Sequence, residues 1–240
     1  MLKRNITKIS ASVIFIFAVC LIFSACYSIL PKNAKAVSDD DKSKDYNPPK
    51  VVGTIDSKEI TESSGITASQ CNQNILWTHN DSGDDALIFA LDLKGKKLGT
   101  WQVAGAKNID WEDIAETKNA NGECFLYLGD IGGNTSLRDK FTIYKVKEPT
   151  VSGTATTDSS RKNPLVTEQS QAIEIQYPDK RHDAETLMVH PQTGDIYILT
   201  KRLTEPSTVY RLRAGYDLGK TSTLEKIIDF TVPAVPYGFL

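Results

Sequence analysis

After residue 50 the apolar positions fall in short runs of four to six, spaced by Gly, Asn and Asp. Ile75-Leu-Trp-Thr-His79, Ala86 to Leu91, Phe125-Leu-Tyr-Leu128, Phe141 to Val146, Ala172 to Tyr177, Asp195 to Leu199 and Thr208 to Leu212 are rich in β-branched and aromatic residues. Such runs, closed by turn-forming residues, predict strands. No window in this part keeps a 3.6-residue period over three turns, so the body is predicted to be all-β.

The strands recur in units. Glu62-Ser-Ser64-Gly-Ile66, Asp110-Trp-Glu112-Asp-Ile114 and Asp183-Ala-Glu185-Thr-Leu187 each place an acid, a polar or acidic residue two later, and an aliphatic two after that. Each motif is followed by Leu76-Trp77, Leu126-Tyr127 or Ile196-Tyr197, and then by Ile88-Phe89, Ile143-Tyr144 or Val209-Tyr210. Fourth strands follow at Thr100 to Val103, Ala172 to Tyr177 and Leu224 to Phe230, with a Pro/Ser/Thr-rich insertion over Lys147 to Ser170. Four short antiparallel strands per unit, repeated with aromatic marks, predict β-propeller blades; a β-sandwich would not repeat its opening motif three times. Val51 to Ile55 reads as a leading strand that would complete a last blade. Three blades do not close a ring, so the expectation is a partial propeller over residues 51–240, cut from a six-bladed protein or pairing with another half.

Ahead of the body the pattern changes. Lys3, Arg4 and Lys8 precede an almost wholly apolar stretch from Ala11 to Ala25, which reads as a secretory signal or membrane anchor over residues 1–30. Its end has three readings. Phe23-Ser-Ala-Cys26 resembles a lipobox, with Phe where Leu is usual and Cys26 as the lipidated residue; Ala34-Lys-Ala36 suits ordinary signal peptidase; Ile9 to Leu30 is long enough to span a bilayer uncleaved. Residues 31–50 carry Asp39-Asp-Asp-Lys-Ser-Lys-Asp45 and no apolar cluster, the composition of a disordered spacer. A lipid- or helix-anchored protein of the cell envelope is expected, with a secreted form as the alternative.

Charge excludes one class of partner. The net charge is −2, from 28 basic and 30 acidic residues; without the three basic residues of the leader the balance is 25 to 30. Nucleic-acid binding needs a clustered basic face, which this chain lacks.

The candidate chemistry lies in the repeated acids. In an extended strand residues i and i+2 point the same way, so Glu62 with Ser64, Asp110 with Glu112, and Asp183 with Glu185 would crowd oxygens around one channel mouth. Clustered carboxylates need a cation or good donors among them, and Ca²⁺ takes six to eight such oxygens. The competing reading has each carboxylate accepting backbone N–H groups at its own corner, and repetition in every unit favours that one. His79-Asn-Asp81-Ser-Gly83-Asp-Asp85 interleaves possible ligands but reads first as a tight turn. Arg138, Lys201 and Arg202 near strand ends could face an anion, with surface ion pairing the ordinary alternative. There is no G-x-S-x-G elbow, H-E-x-x-H helix or P-loop. Of the three histidines, His182 stands beside Asp183, and a solvent-facing loop position is expected for it. Cys71 and Cys124 each precede the second strand of adjacent units, which favours a disulfide between neighbouring sheets if the Cα atoms come within about 7 Å. Trp77, Trp101 and Trp111 read as core between units.

Glu62-Ser-Ser-Gly-Ile66, Leu76-Trp-Thr-His-Asn-Asp-Ser-Gly83, Asn108-Ile-Asp-Trp-Glu-Asp-Ile-Ala115, Tyr127 to Asn134 and Asp183 to Pro191 together resemble exported bacterial proteins with phytase-like or NHL-like six-bladed propellers. The resemblance runs roughly from Gly53 to Arg213. It implies the propeller fold, and through the calcium-using phytase-like members it adds support for Ca²⁺. Two functions follow as expectations: binding or scaffolding at the cell envelope, or a calcium-dependent phosphoester or lactone hydrolase at the channel mouth.

Overall fold

The computed structural model describes residues 50–133, 138–152, 154–201 and 206–231, and all its elements fall within Val51–Leu240. The leader, Cys26, most of the spacer and Arg202 lie outside the described residues. Among the described residues no helix is long and apolar enough to cross a membrane.

The first sheet is a meander of β1 (Ser63–Ala68), β2 (Ile75–Asn80), β3 (Leu87–Asp92) and β4 (Lys97–Gln102). The second runs through β5 (Trp111–Lys118), β6 (Cys124–Asp130) and β7 (Phe141–Lys147). A one-turn helix α1 (Thr154–Thr157) and the two-residue strand β8 (Leu165–Val166) intervene before β9 (Gln171–Gln176) completes it. The third sheet comprises β10 (Ala184–Val189), β11 (Ile196–Thr200) and β12 (Ser207–Leu212), then, after the short β13 (Ser222–Thr223), β14 (Glu225–Phe230). The body is therefore all-β, in three sheets, and the described residues form no closed ring.

The period-two pattern explains how the sheets stack. Phe125-Leu-Tyr-Leu128 is apolar throughout because β6 is covered on both faces, a condition that removes the usual polar alternation. Leu126 and Leu128, with Tyr144 and Val146 of β7, pack against Ile75, Trp77, Ile88 and Trp101 of the first sheet. The alternate residues Tyr127, Ile143, Ile173 and Ile175 turn the other way, onto Leu187, Ile196, Ile198 and Tyr210 of the third. The three tryptophans are buried in the first of these cores, as expected, with Trp77 edge-on to Trp101 at 5.1 Å. The first strands of the sheets lie side by side, β5 between β1 and β10.

Two features depart from the sequence expectation. Val51 to Ile55 is not a strand: the chain from Val51 to Ser57 runs irregularly over the β3–β4 turn, where Thr54 N–H donates to Lys94 O at 3.0 Å. A turn offers isolated carbonyls and no ladder, so no strand can propagate there. Gly95 (φ 87°) makes that approach possible, since a Cβ on it would meet the Thr54 carbonyl. In the first two sheets the outer strand is extended in parallel by a short strand from the next unit: β8 pairs with β4 through Trp101↔Leu165, and β13 with β9 through Ser222↔Ile175.

A disulfide joins Cys71, in the β1–β2 loop, to Cys124 at the start of β6, with a Cα–Cα distance of 6.1 Å. It crosses from the first sheet to the second.

Candidate metal centre

All three first strands carry a β-bulge at the repeated acidic motif. Pairing of β1 with β2 passes from Ser63↔Asn80 to Ile66↔Thr78, that of β5 with β6 from Trp111↔Asp130 to Asp113↔Gly129, and that of β10 with β11 from Ala184↔Thr200 to Thr186↔Leu199. The extra residue is Glu112 in β5 and Glu185 in β10. A bulge re-aims the residue it inserts, so simple alternation does not decide where these two carboxylates go. Ser64, at the matching place in β1, donates its hydroxyl to the Glu112 carbonyl at 2.8 Å and pins the neighbouring bulge.

The result is a cluster of five carboxylates from all three units. Asp81, Asp110 and Glu112 bring oxygens within 4.8 Å of one another, and so do Glu112, Asp183 and Glu185. Glu112 belongs to both groups. It is 3% exposed, and its Oε1 is buried without a hydrogen-bond partner. Gly132 makes room for it: a Cβ there would strike Glu112 Oε1 and stand 2.5 Å from Asp110 Cγ.

Burial, and then the charges of Glu185, Asp81, Asp110 and Asp183, push the Glu112 carboxyl up to about 9. Burial also raises Asp110; Arg138 opposes that shift, while Asp81, Asp183 and Asp130 add to it. Asp183 is steadied by the Gly133 N–H at 2.8 Å, and Glu185 pairs with Lys201 at 2.7 Å.

The expected corner role falls largely on other residues. Asn80 Oδ1, at the end of β2, accepts the Thr61 N–H at 3.0 Å and the Glu62 N–H at 3.3 Å. Asp130, at the end of β6, accepts the Asp110 N–H at 3.0 Å and is tied to Arg138 at 2.8 Å. The side chains of Asp110 and Glu112 accept no hydrogen bond from a described residue, so these two acids are not corner clamps. Asp113, next along, does bridge sheets: its Oδ2 accepts the Leu187 N–H of β10 at 2.8 Å.

Several sequence expectations change here. Glu62 is exposed and joins neither group. Its backbone is bound to the β2 corner, while Asp81, across that corner, takes its place. Asp81 does take part in a turn, accepting the Ser82 N–H at 2.5 Å, but it also faces Asp110 and Glu112. His182 is buried, not solvent-facing: its Nε2 lies 2.8 Å from Tyr210 Oη and 3.0 Å from Asp179 Oδ1, under the ring of Tyr177. His79 is buried beside Trp111, and burial lowers its pKa toward the neutral form. Lys201 and Arg138 pair with the carboxylates of Glu185 and Asp130, the ion-pairing alternative given for them. Asp130 and Gly132 lie in the Gly129-Asp-Ile-Gly-Gly133 string, which in sequence holds the place of the His79–Asp85 loop in the second unit and carries no motif for either role.

The chemistry of this donor set suits a hard divalent cation: oxygen only, five carboxylates, partly open on the Asp183 and Glu185 side. Compared with protein-family models and with curated proteins, the chain matches none.

Proposed function

We propose that this chain carries three β-propeller blades that hold a divalent cation, Ca²⁺ by its donor chemistry, where the bulged first strands converge, and that it serves binding or scaffolding at the cell envelope. Glu112 carries the reading. A carboxylate that is 3% exposed, with one oxygen unpartnered and four other carboxylates around it, is strongly disfavoured unless protonated or bound to a cation. The propeller reading is supported by three consecutive meanders, adjacent first strands and face-to-face cores. The envelope reading draws on the basic and apolar start of the chain and on the Cys71–Cys124 bond, which suits an oxidising compartment. The test is calcium-dependent melting of the full chain with terbium luminescence: wild type should gain stability with calcium and lose it with chelator, and Glu112→Gln should do neither. A wild-type melt indifferent to both would sink the cation reading.

The hydrolase reading rests on a separate observation. Asp183 and Glu185 are half-buried, not sealed, so a cation on that side would keep coordination positions open to water and an anionic substrate. Screening the calcium-loaded protein against phosphoesters and lactones tests it; turnover abolished by Glu185→Gln supports it, and no turnover removes it.

A further inference from the structure

The five carboxylates are not equally provided with positive charge. Asp81, Asp110 and Glu112 form an inner group, and no Lys or Arg among the described residues makes an ion pair with any of them; Arg138 is spent on Asp130. The outer group of Glu112, Asp183 and Glu185 has Lys201, whose ammonium lies 2.7 Å from Glu185 Oε1.

The corners of the three sheets show how this arises. At each corner one backbone N–H donates to the carbonyl of the first acid of the motif: Asp81 to Glu62 at 2.9 Å, Gly132 to Asp110 at 3.2 Å, Lys201 to Asp183 at 2.8 Å. These are equivalent positions. In the first sheet the position supplies a ligand to the inner group, in the second it is left without a side chain so that Glu112 fits, and in the third it supplies a cation to the outer group.

We propose that Lys201 is a built-in competitor for the outer carboxylates, so that a divalent cation enters first at the inner group and reaches Asp183 and Glu185 only by displacing the lysine. The proposal rests on the cation reading above and adds a residue that sets its affinity. Lys⁺ brings one charge and three donors and pairs with Glu185, whereas Ca²⁺ brings two charges and takes six to eight oxygens, so the ion can draw Glu112, Asp183 and Glu185 together where the lysine does not. Displacement is cheap. The Lys201 side chain is 47% exposed and that of Glu185 33%, and pairs this open are worth at most about fivefold in an equilibrium constant. The freed ammonium swings into water on its four-carbon stem.

The test titrates Ca²⁺ and Tb³⁺ into full-length wild type, Lys201→Met, Lys201→Arg and the double variant Lys201→Met/Glu185→Gln, with melting curves in chelator to show that each is folded. Lys201→Met keeps the stem and removes the charge, and should bind calcium more tightly by up to about fivefold. Lys201→Arg should stay near wild type, and the double variant should lose the gain. Should Lys201→Met not fold, Lys201→Gln takes its place in both comparisons. Equal calcium affinity in wild type and Lys201→Met overturns the competitor while leaving the cation site standing. Binding by Lys201→Met alone supports the competitor. Binding by no variant removes both.

Discussion

Cys71 and Cys124 belong to different sheets, yet their Cα atoms stand 6.1 Å apart and their sulfurs are bonded. The bond closes a loop with a sequence separation of 53 residues that contains the whole first meander after β1. Closing a loop of that length in the unfolded chain corresponds to about 4 kcal/mol in the chain-entropy model, with measured values commonly 2–4 kcal/mol. The Cys71→Ser/Cys124→Ser variant should therefore unfold at distinctly lower urea, and reductant should shift wild type to the same midpoint. A midpoint indifferent to reductant would show that the two sheets hold together without the bond.

Glu112 gives stability a pH dependence of definite sign. Its folded pKa, about 9, lies above the ordinary value of 4.5, so between those limits the folded chain binds a proton that the unfolded chain has released. That contribution is full below about pH 4.5 and is lost as pH rises toward 9. In chelator, melting temperature should fall across that window, and Glu112→Gln should flatten the fall because the amide carries no charge at any pH. Calcium should oppose the loss by stabilising the ionised form. A wild-type profile in chelator that runs parallel to that of Glu112→Gln from pH 5 to 8 contradicts this assignment.

Gly132 tests whether the cluster's shape matters independently of its charge. Alanine there keeps every carboxylate but puts a methyl onto Glu112 Oε1 and 2.5 Å from Asp110 Cγ. Glu112 can rotate away; Asp110, on its short stem at a bonded corner, has less freedom. Gly132→Ala should stay folded and lose at least tenfold in terbium affinity, about 1.4 kcal/mol. Gly133→Ala, which would crowd the His182 carbonyl instead, should chiefly cost stability. Wild-type affinity in Gly132→Ala would mean that the ligands do not converge where Glu112 and Asp110 now meet.

Much of this architecture was legible because polar residues interrupt otherwise apolar strand starts. Asp110-Trp-Glu112 and Asp183-Ala-Glu185 stand out for that reason, and both pairs enter the cluster. The first unit misled because its contribution comes from the far side of the corner: Asp81 is held by a real turn, and the turn signature of Asn-Asp-Ser-Gly hides its second role. Bulges leave no mark in the alternation of side chains, so Glu112 could be placed near Asp110 but its burial could not be foreseen. β8 and β13 are two residues each and have no period to detect; they exist only because β4 and β9 offer open edges. His182 reads in sequence as a loop histidine facing solvent, whereas Tyr177, close by in the chain, and Tyr210, distant along it, bury it.

The packing of β1 against β5 at the bulge depends on a residue with no side chain. Gly65, Asp113 and Thr186 hold the same place in the repeated motif. In β5 the Asp113 side chain reaches across to the Leu187 N–H, but at Gly65 there is no space for anything: a Cβ would lie 2.6 Å from Ile114 N and 2.8 Å from Asp113 Cα. Those atoms are backbone of a strand covered on both sides, so they cannot yield as a flexible side chain would. Gly65→Ala should cost about 1–3 kcal/mol, the range for overpacking a filled interior, and Thr186→Ala, at the half-buried equivalent in β10, should stay within about 0.5 kcal/mol of wild type. Urea midpoints for the two variants decide the matter. Because Ser64 pins the Glu112 carbonyl from the adjoining position, Gly65→Ala should also weaken terbium binding, coupling sheet spacing to the metal centre. Equal and small losses in both variants would show that β1 and β5 are not pressed together at the bulge.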